Sequence, residues 1–283
     1  MDTTAHPALL AIYWRSECPV LNLGDYLTEV LIKAFGYAFL GYESAVKEHR
    51  LGEFETCLFA VGSLLDSTWC GRVKMKKSVW GSGDWGDPRF TRSHWQDCAI
   101  HAVRGPLTVR RLGLPDATPT GDPALLLPLL FPLSRQSDAG VISIPHFHTR
   151  SAFSASVLAS AGASRLVDIA VSRPDFLSRI QSLVDAEFVL TGSLHGAIIA
   201  QAYGRPWALC LPPGVRHDKP GKWEDWFAWL GLEPASCRDY EEGRRWWRAH
   251  GSRGTVKDLR PMMRALPFPI LEPTTRRIWE ASC

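Results

Sequence analysis

The strongest constraint on this chain is a regular alternation of short apolar runs with longer segments of helical periodicity. The first block predicts strands over 8–14, 57–63, 77–83 and 99–105, with helices over 25–36 and 106–114. After a proline-rich stretch the pattern restarts, with strands predicted over 140–147, 165–170, 187–192 and 206–211 and helices over 153–162, 174–185 and 193–204. Such alternation favours parallel sheets covered by helices. Two successive blocks predict an α/β fold of two Rossmann-like domains facing across a cleft, with residues 1–135 in the first and 136–283 in the second.

Composition excludes several classes of protein. The 283 residues are 46% hydrophobic, enough for two cores. The formal charge of +3 is too balanced to indicate nucleic-acid binding. No apolar run approaches a membrane-spanning length, and the opening residues lack the basic start of a secretory signal. The seven cysteines form no CxxC pair, and Cys57, Cys98 and Cys210, which lie in apolar, strand-like runs, are interpreted as reduced core thiols, so we expect a cytoplasmic protein.

One stretch, FVLTGSLHGAIIAQAYGRP from Phe188, stands out from the rest. An apolar strand leads through Thr191 or Ser193, either of which could cap a helix, into an apolar helix whose first turn holds His195. In a parallel sheet this is the carboxyl edge, where helix N-termini favour ligands. The residues alone leave two readings level: a ligand site, or a capping residue followed by an incidental histidine.

Other candidates follow the strands of the first block. Asn22, Gly24 and Asp25 come after the first strand, and Asn22 or Asp25 could simply cap the next helix; Gly62 and Ser63 follow the second strand. The loop GSGDWG, which contains Ser82, is rich in glycine but lacks both the Walker and the dinucleotide spacing, so its phosphate signal is weak. Arg104 ends the last strand and is suited to a bidentate carboxylate or phosphate contact, or equally to a surface ion pair.

The second block adds His146 after its first strand, and Lys219 and Lys222 before a helix. No HExxH, paired-cysteine or GxSxG motif occurs, so we expect neither a metal site nor a serine hydrolase triad. These residue types predict an anion-binding cleft with one histidine at a helix start.

The segments NLGDYLT, VWGSG, AVRGPLT, TGDPALLLP, IPHF, AEFVLTGSLHGAIIAQAYGRP and GKWEDW, in this order from Asn22 to about Trp226, resemble the polysaccharide pyruvyl transferase family. The likeness is greatest to the ketal pyruvyltransferases of exopolysaccharide assembly, of the xanthan and succinoglycan type. It implies a GT-B-like fold with the active site in the cleft, phosphoenolpyruvate as donor, an acceptor sugar with two suitably placed hydroxyls, and release of phosphate. No resident cofactor is implied.

The resemblance also assigns roles to residues. Arg104, Leu194 and His195 match donor-contacting positions of the family, while Ser193 occupies the place of a family arginine. We expect His195 to protonate the donor, Arg104 and Lys222 to hold its anionic groups, and Asp25 to act as base. Asn22, Gly24, Gly62, Ser63, Ser82 and His146 are expected to line the cleft.

Two other functions stay open at this point: a GT-B glycosyltransferase that uses a nucleotide sugar, and a non-catalytic scaffold of glycan assembly. The resemblance further implies a lipid-linked oligosaccharide or polysaccharide acceptor at the inner face of the membrane. The clusters 222–230 and 244–250, rich in tryptophan and basic residues, are the predicted peripheral contacts with the membrane, unless their tryptophans pack inside the protein. The acceptor sugar, its hydroxyl pair and the oligomeric state carry no readable code.

Overall fold

The structure is a computed structural model that describes residues 7–213, 215, 219–251 and 257–283. Its strands are β1 (Ala8–Ala11), β2 (Leu21–Asn22), β3 (Ala38–Gly41), β4 (Thr56–Phe59), β5 (Lys76–Trp80), β6 (Cys98–Ala102), β7 (Val141–Ile144), β8 (Arg165–Leu166), β9 (Ala170–Val171), β10 (Phe188–Thr191) and β11 (Trp207–Leu209). Its α-helices are α1 (Leu23–Ala34), α2 (Tyr42–Lys47), α3 (Ser67–Arg72), α4 (Arg92–Trp95), α5 (Pro106–Leu112), α6 (Leu127–Leu130), α7 (Ala155–Ser160), α8 (Phe176–Val184), α9 (Leu194–Ala202), α10 (Pro220–Leu230), α11 (Tyr240–His250), α12 (Arg260–Arg264) and α13 (Pro273–Ser282).

The chain forms two compact units. The first unit comprises residues 1–18, 25–123 and 258–283, and the second comprises 19–24 and 124–257. The main change of unit falls after residue 123, whereas the predicted boundary is after residue 135. In addition, residues 19–24 belong to the second unit and residues 258–283 belong to the first.

The first unit is built on a parallel sheet with strand order β3-β1-β4-β5-β6. One apolar cluster of this unit draws on the strands and on α5, with Ile12, Phe59, Val79 and Val109 among its buried members. In β4 the three consecutive apolar residues Cys57, Leu58 and Phe59 are all buried, as expected for a central strand that is covered on both faces.

The second unit contains a parallel sheet of order β11-β10-β7-β8 and a separate antiparallel pair, β2 with β9. All four residues of β10 are buried, as are all residues of α9 from Leu194 to Gln201. The prediction of an α/β protein with parallel, helix-covered sheets is therefore confirmed.

The predicted strand over 165–170 is wrong as one element. It divides into β8 and β9, which belong to different sheets. Asp168 causes the break, because its carboxylate accepts the backbone N–H of Ala170 at 2.9 Å and turns the chain between the two strands. The short elements β2, β3, α2, α3 and α13 had no separate sequence prediction, since each is too short or too polar to show a period.

Among the described residues, no helix combines the length and the apolar character needed to cross a membrane.

Candidate active site

His195 lies in the first turn of a helix, as the sequence predicted. Helix α9 begins at Leu194, with two residues between it and the end of β10, so His195 occupies its first turn at the carboxyl edge of the second unit's sheet. Its side chain is buried, with 8% of the residue exposed. A histidine held at a helix start is shielded from water but close to an edge where ligands bind.

Thr191 organises the turn between β10 and α9. Its hydroxyl accepts the backbone N–H of Ser193 at 3.0 Å and lies within donating distance of the carbonyl oxygens of Ile144 and Ser193. Ser193 is the N-cap residue of α9, but its side chain makes no capping hydrogen bond. Neither Thr191 nor Ser193 therefore caps α9 in the predicted way. The Thr191 hydroxyl instead links the turn to the end of β7.

The glycine of the SLHG segment is required by this arrangement. A Cβ atom on Gly196 would lie 2.4 Å from the Thr191 hydroxyl oxygen, so a side chain there would push the helix off the turn. The segment TGSLHG thus works as one unit that fixes the start of α9.

Gly24 packs directly against His195. A Cβ atom at position 24 would lie 2.0 Å from Nδ1 of His195, so the imidazole rests on bare backbone. Asn22 fixes that backbone by accepting the N–H of Gly24 at 3.0 Å, which confirms its capping role at the start of α1. Leu23 N–H donates to the carbonyl of Ile169 beside the β2–β9 pair. Within the second unit, the NLG and SLHG segments therefore meet at the histidine ring.

His146 and Lys222 form a second contact at the same sheet edge. His146 follows β7, Lys222 lies in the first turn of α10, and Nζ of Lys222 is 3.2 Å from Nε2 of His146. An ammonium group has no lone pair, so Lys222 is the donor and the imidazole the acceptor. Gly192 leaves room for the loop after β7, because a Cβ atom at position 192 would lie 3.3 Å from the backbone nitrogen of His146. Lys222 is buried and is therefore not a solvated surface lysine.

Arg104 is the centre of the candidate residues of the first unit. It follows β6, is fully buried, and donates through Nη1 to the Ser63 hydroxyl at 2.7 Å and through Nη2 to the Asp84 carbonyl at 3.0 Å. Gly83 lies against the guanidinium plane, since a Cβ atom there would be 2.4 Å from Cζ. The alternative of a surface arginine is therefore wrong.

Ser82 is a structural tie between two loops of this site. Its hydroxyl donates to the Gly62 carbonyl at 3.0 Å and accepts the N–H of Leu64 at 3.1 Å, and the residue is fully buried. Gly62 has a φ of +108°, and a Cβ atom there would lie 3.0 Å from Oδ1 of Asp25. The glycine thus permits both the turn and the approach of Asp25.

The GSGDWG loop is not a phosphate cradle in this structure. The N–H groups of Gly83, Asp84 and Gly86 donate to Gly62 O, Thr108 Oγ1 and Asp84 Oδ1, at 3.0, 3.1 and 2.7 Å respectively. A phosphate loop needs these donors to point at the ligand. The loop instead packs against the Arg104 guanidinium through Gly83 and Asp84. Burial raises the pKa of the Asp84 carboxyl, although Gly86 N–H and Arg111 act in the opposite direction.

Comparison with known proteins gives the family. A profile described as polysaccharide pyruvyl transferase matches residues 22–212. The chain is also 28% identical over 254 residues to the succinoglycan biosynthesis protein ExoV of Rhizobium meliloti (strain 1021), covering 83% of this chain and 72% of that protein.

The chain belongs to the polysaccharide pyruvyl transferase family. It is a pyruvyltransferase, and the resemblance inferred from its motifs is confirmed. The matched range includes every candidate site residue except Lys219 and Lys222, which lie beyond its end.

The pyruvyltransferase has its candidate residues in two groups, one in each unit. Asp25, Gly62, Ser63, Ser82 and Arg104 lie in the first unit, whereas Asn22, Gly24, His146, Ser193, Leu194, His195 and Lys222 lie in the second. Sequence reasoning did not single out Thr191 as the organiser of the turn or the Asp84 carbonyl as a partner of Arg104. The letters TGS and GSGDWG did mark both loops, but hydrogen-bond partners distant in sequence cannot be read from them.

The tryptophans of the proposed membrane contacts differ in exposure. Trp226 and Trp229 are fully buried and stacked at 5.3 Å, so these two cannot contact a membrane. Trp246 and Trp247 are half-buried, with ring centres 5.6 and 6.2 Å from that of Trp207. For the first pair, packing inside the protein is the correct interpretation.

Proposed function

We propose that this pyruvyltransferase transfers the pyruvyl group of phosphoenolpyruvate to two hydroxyls of one sugar in an exopolysaccharide repeat unit, forming a cyclic ketal and releasing phosphate. The observation that carries the proposal is the packing of the His195 ring on Gly24, which brings the NLGD and SLHG segments of the family resemblance together at one histidine. The name of the Rhizobium relative, a succinoglycan biosynthesis protein, supports the choice of an exopolysaccharide acceptor.

The chemistry requires an acid, anion holders and a base. Protonation of the methylene carbon makes C2 of the donor electrophilic, and the first sugar hydroxyl forms a C–O bond there. The bond between C2 and the bridging oxygen then breaks, phosphate leaves with that oxygen, and the second hydroxyl closes the ring. Of the two protons released by the hydroxyls, one replaces the proton delivered to the methyl group and the other leaves with phosphate.

His195 is the proposed acid, because histidine exchanges a proton near neutral pH and its ring is held rigidly by Gly24. Arg104 is the proposed holder of the donor carboxylate or phosphate. Its Nη1 and Nη2 bonds to Ser63 and Asp84 fix the plane of the guanidinium, which is the preorganisation that an anion site needs.

Lys222 is the proposed substitute for the cation that Ser193 lacks. Its Nζ is held at 3.2 Å from His146, which orients the ammonium group at the carboxyl edge of the sheet that also presents His195. Asp25 is proposed as the base that accepts the acceptor's proton. The GT-B-like arrangement, the cytoplasmic location and the membrane contact stay predictions.

The test is a turnover assay. The protein is incubated with phosphoenolpyruvate and a panel of lipid-linked oligosaccharides, phosphate release is followed, and the product is examined by carbon-13 NMR for a ketal carbon. We expect phosphate release only with an acceptor that carries a suitable hydroxyl pair. Sugar transfer from a nucleotide donor, or no phosphate release with any acceptor, would overturn the proposal.

A further inference from the structure

One cavity of the first unit adjoins the Arg104 site, with which it shares Asp84. It has a volume of about 670 Å³, within the range of small-molecule sites. It lies between the loop after β5, helix α4 and the end of α5. The side chains that characterise it are three arginines, two aromatic rings and two buried carboxyl groups: Arg92, Arg110, Arg111, Phe90, Trp95, Asp84 and Asp87.

The positive charges of this cavity are only partly balanced. Arg111 lies 3.8 Å from the Asp84 carboxylate. Asp87, which also lines the cavity, accepts hydrogen bonds from Ser67 and Arg89 through its carboxylate. Across residues 7–213, 215, 219–251 and 257–283, neither Arg92 nor Arg110 forms an ion pair. Two guanidinium groups are therefore left for an anion from outside the chain.

The aromatic rings give the same cavity an apolar wall. Phe90 and Trp95 are partly buried and pack on one side against the core of the first unit. The Arg92 guanidinium lies 5.3 Å from the Trp95 ring centre, which restrains an otherwise flexible exposed side chain. An anionic group attached to a ring of mixed apolar and hydroxylated faces would satisfy both features.

The backbone argues against a bare phosphate as the intended ligand. The N–H groups of Asp84 and Gly86, the nearest loop donors, are already bonded within the protein. The available donors are guanidinium forks, whose planar geometry matches a carboxylate well. We propose that this cavity binds a carboxylate-bearing sugar of the acceptor glycan and so holds the glycan away from its reacting end. This inference rests on the proposed function for the nature of the glycan.

The first experiment measures binding to the full chain by titration calorimetry or saturation-transfer NMR, with glucuronic acid, glucose and inorganic phosphate as probes. We expect saturable binding of glucuronic acid. Glucose should bind at least roughly tenfold more weakly, since only the carboxylate of the acid can pair with the arginines. Equal binding of glucose and glucuronic acid, or binding of phosphate without glucuronic acid, would overturn the proposal.

Variants locate the binding. The double variant Arg92→Gln with Arg110→Gln should weaken glucuronic acid binding on the order of tenfold, because each substitution removes a guanidinium group that could pair with the carboxylate. Arg72→Gln is the matched control, since Arg72 is also exposed and lies 4.9 Å from the ring centre of Trp69 but outside the cavity. Thermal unfolding checks that the variants fold, and Arg110→Lys alone should keep part of the binding. Unchanged binding in the double variant would show that the acid binds elsewhere.

A third measurement separates this inference from the proposed function. With phosphoenolpyruvate and a neutral acceptor, the double variant should release phosphate like the parent. With an acceptor that carries a carboxylate, its KM should rise with kcat unchanged. Absence of phosphate release by the parent would count against the proposed function, whereas an unchanged KM in the double variant would count against the cavity alone.

Discussion

The imidazole of His195 rests on the backbone of Gly24, because a Cβ atom at position 24 would lie 2.0 Å from its Nδ1 atom. Gly24→Ala is therefore expected to displace the ring and to lower turnover strongly, although position 24 lies in α1, where alanine is a better helix former than glycine. Turnover is measured as phosphate release from phosphoenolpyruvate. Gly71→Ala is the matched control, since Gly71 is helical and has open space around it. Parent-like turnover in Gly24→Ala would show that the contact does not position the catalytic group.

His195→Ala should lower kcat by roughly two to four orders of magnitude, the usual contribution of a general acid, with donor affinity much less affected. Single-turnover assays with donor titration separate the two effects. His250→Ala, at an exposed position at the end of α11, serves as the control. Near-normal turnover in His195→Ala would assign the acid to another residue.

Arg104→Lys should weaken donor binding even though the charge is kept, because lysine cannot reach both Ser63 and the Asp84 carbonyl with a planar fork. Binding of phosphoenolpyruvate is measured by calorimetry, with circular dichroism to check the fold of a variant at a fully buried position. Donor affinity equal to that of the parent would place the anion holder elsewhere.

Ser82→Ala should reduce the free energy of unfolding by about 1–3 kcal/mol, because it leaves the Leu64 N–H without its buried partner and removes one of the two hydrogen bonds that the Gly62 carbonyl accepts. Denaturant titration gives the value. Ser93→Ala, at an exposed position of α4, should stay within about 0.5 kcal/mol of the parent. A loss of similar size in both variants would refute a specific tie by Ser82.

Asp87→Asn should destabilise the protein in a pH-dependent way. Burial acts to raise the pKa of Asp87, but hydrogen bonds from Ser67 and Arg89 outweigh it and hold the pKa well below its ordinary value. A depressed pKa contributes stability above the unfolded-state value of about 3.9, and this contribution is lost as the pH falls further.

The difference in unfolding free energy between the parent and Asp87→Asn should therefore be about 1–3 kcal/mol at pH 7 and should shrink as the pH falls through about 4. Denaturant titrations at a series of pH values measure it. Asp116→Asn, at an exposed position, is the control and should show no such trend. A difference independent of pH would mean that the carboxylate charge plays no part.

The sequence by itself determined the fold class and the position of His195. Buried parallel strands are continuous apolar runs and helices repeat every 3.6 residues, so β10, α9 and the histidine in the first turn of α9 could be located from Phe188 onward. The family was inferred from the resemblance of this segment, and of others such as NLGDYLT and AVRGPLT, to those of known pyruvyl transferases.

Only the tertiary structure decided which of these residues touch. The contact of Gly24 with His195, the contact of Arg104 with Ser63, and the grouping of residues 19–24 with the second unit each join positions that are far apart in the chain. Asp168 ended a strand that its apolar neighbours would have continued, and Trp226 and Trp229 were buried although their pattern also suited a membrane surface. Local periodicity records which face of an element is apolar, whereas the partner of that face, and so the geometry of the site, depends on packing between distant segments.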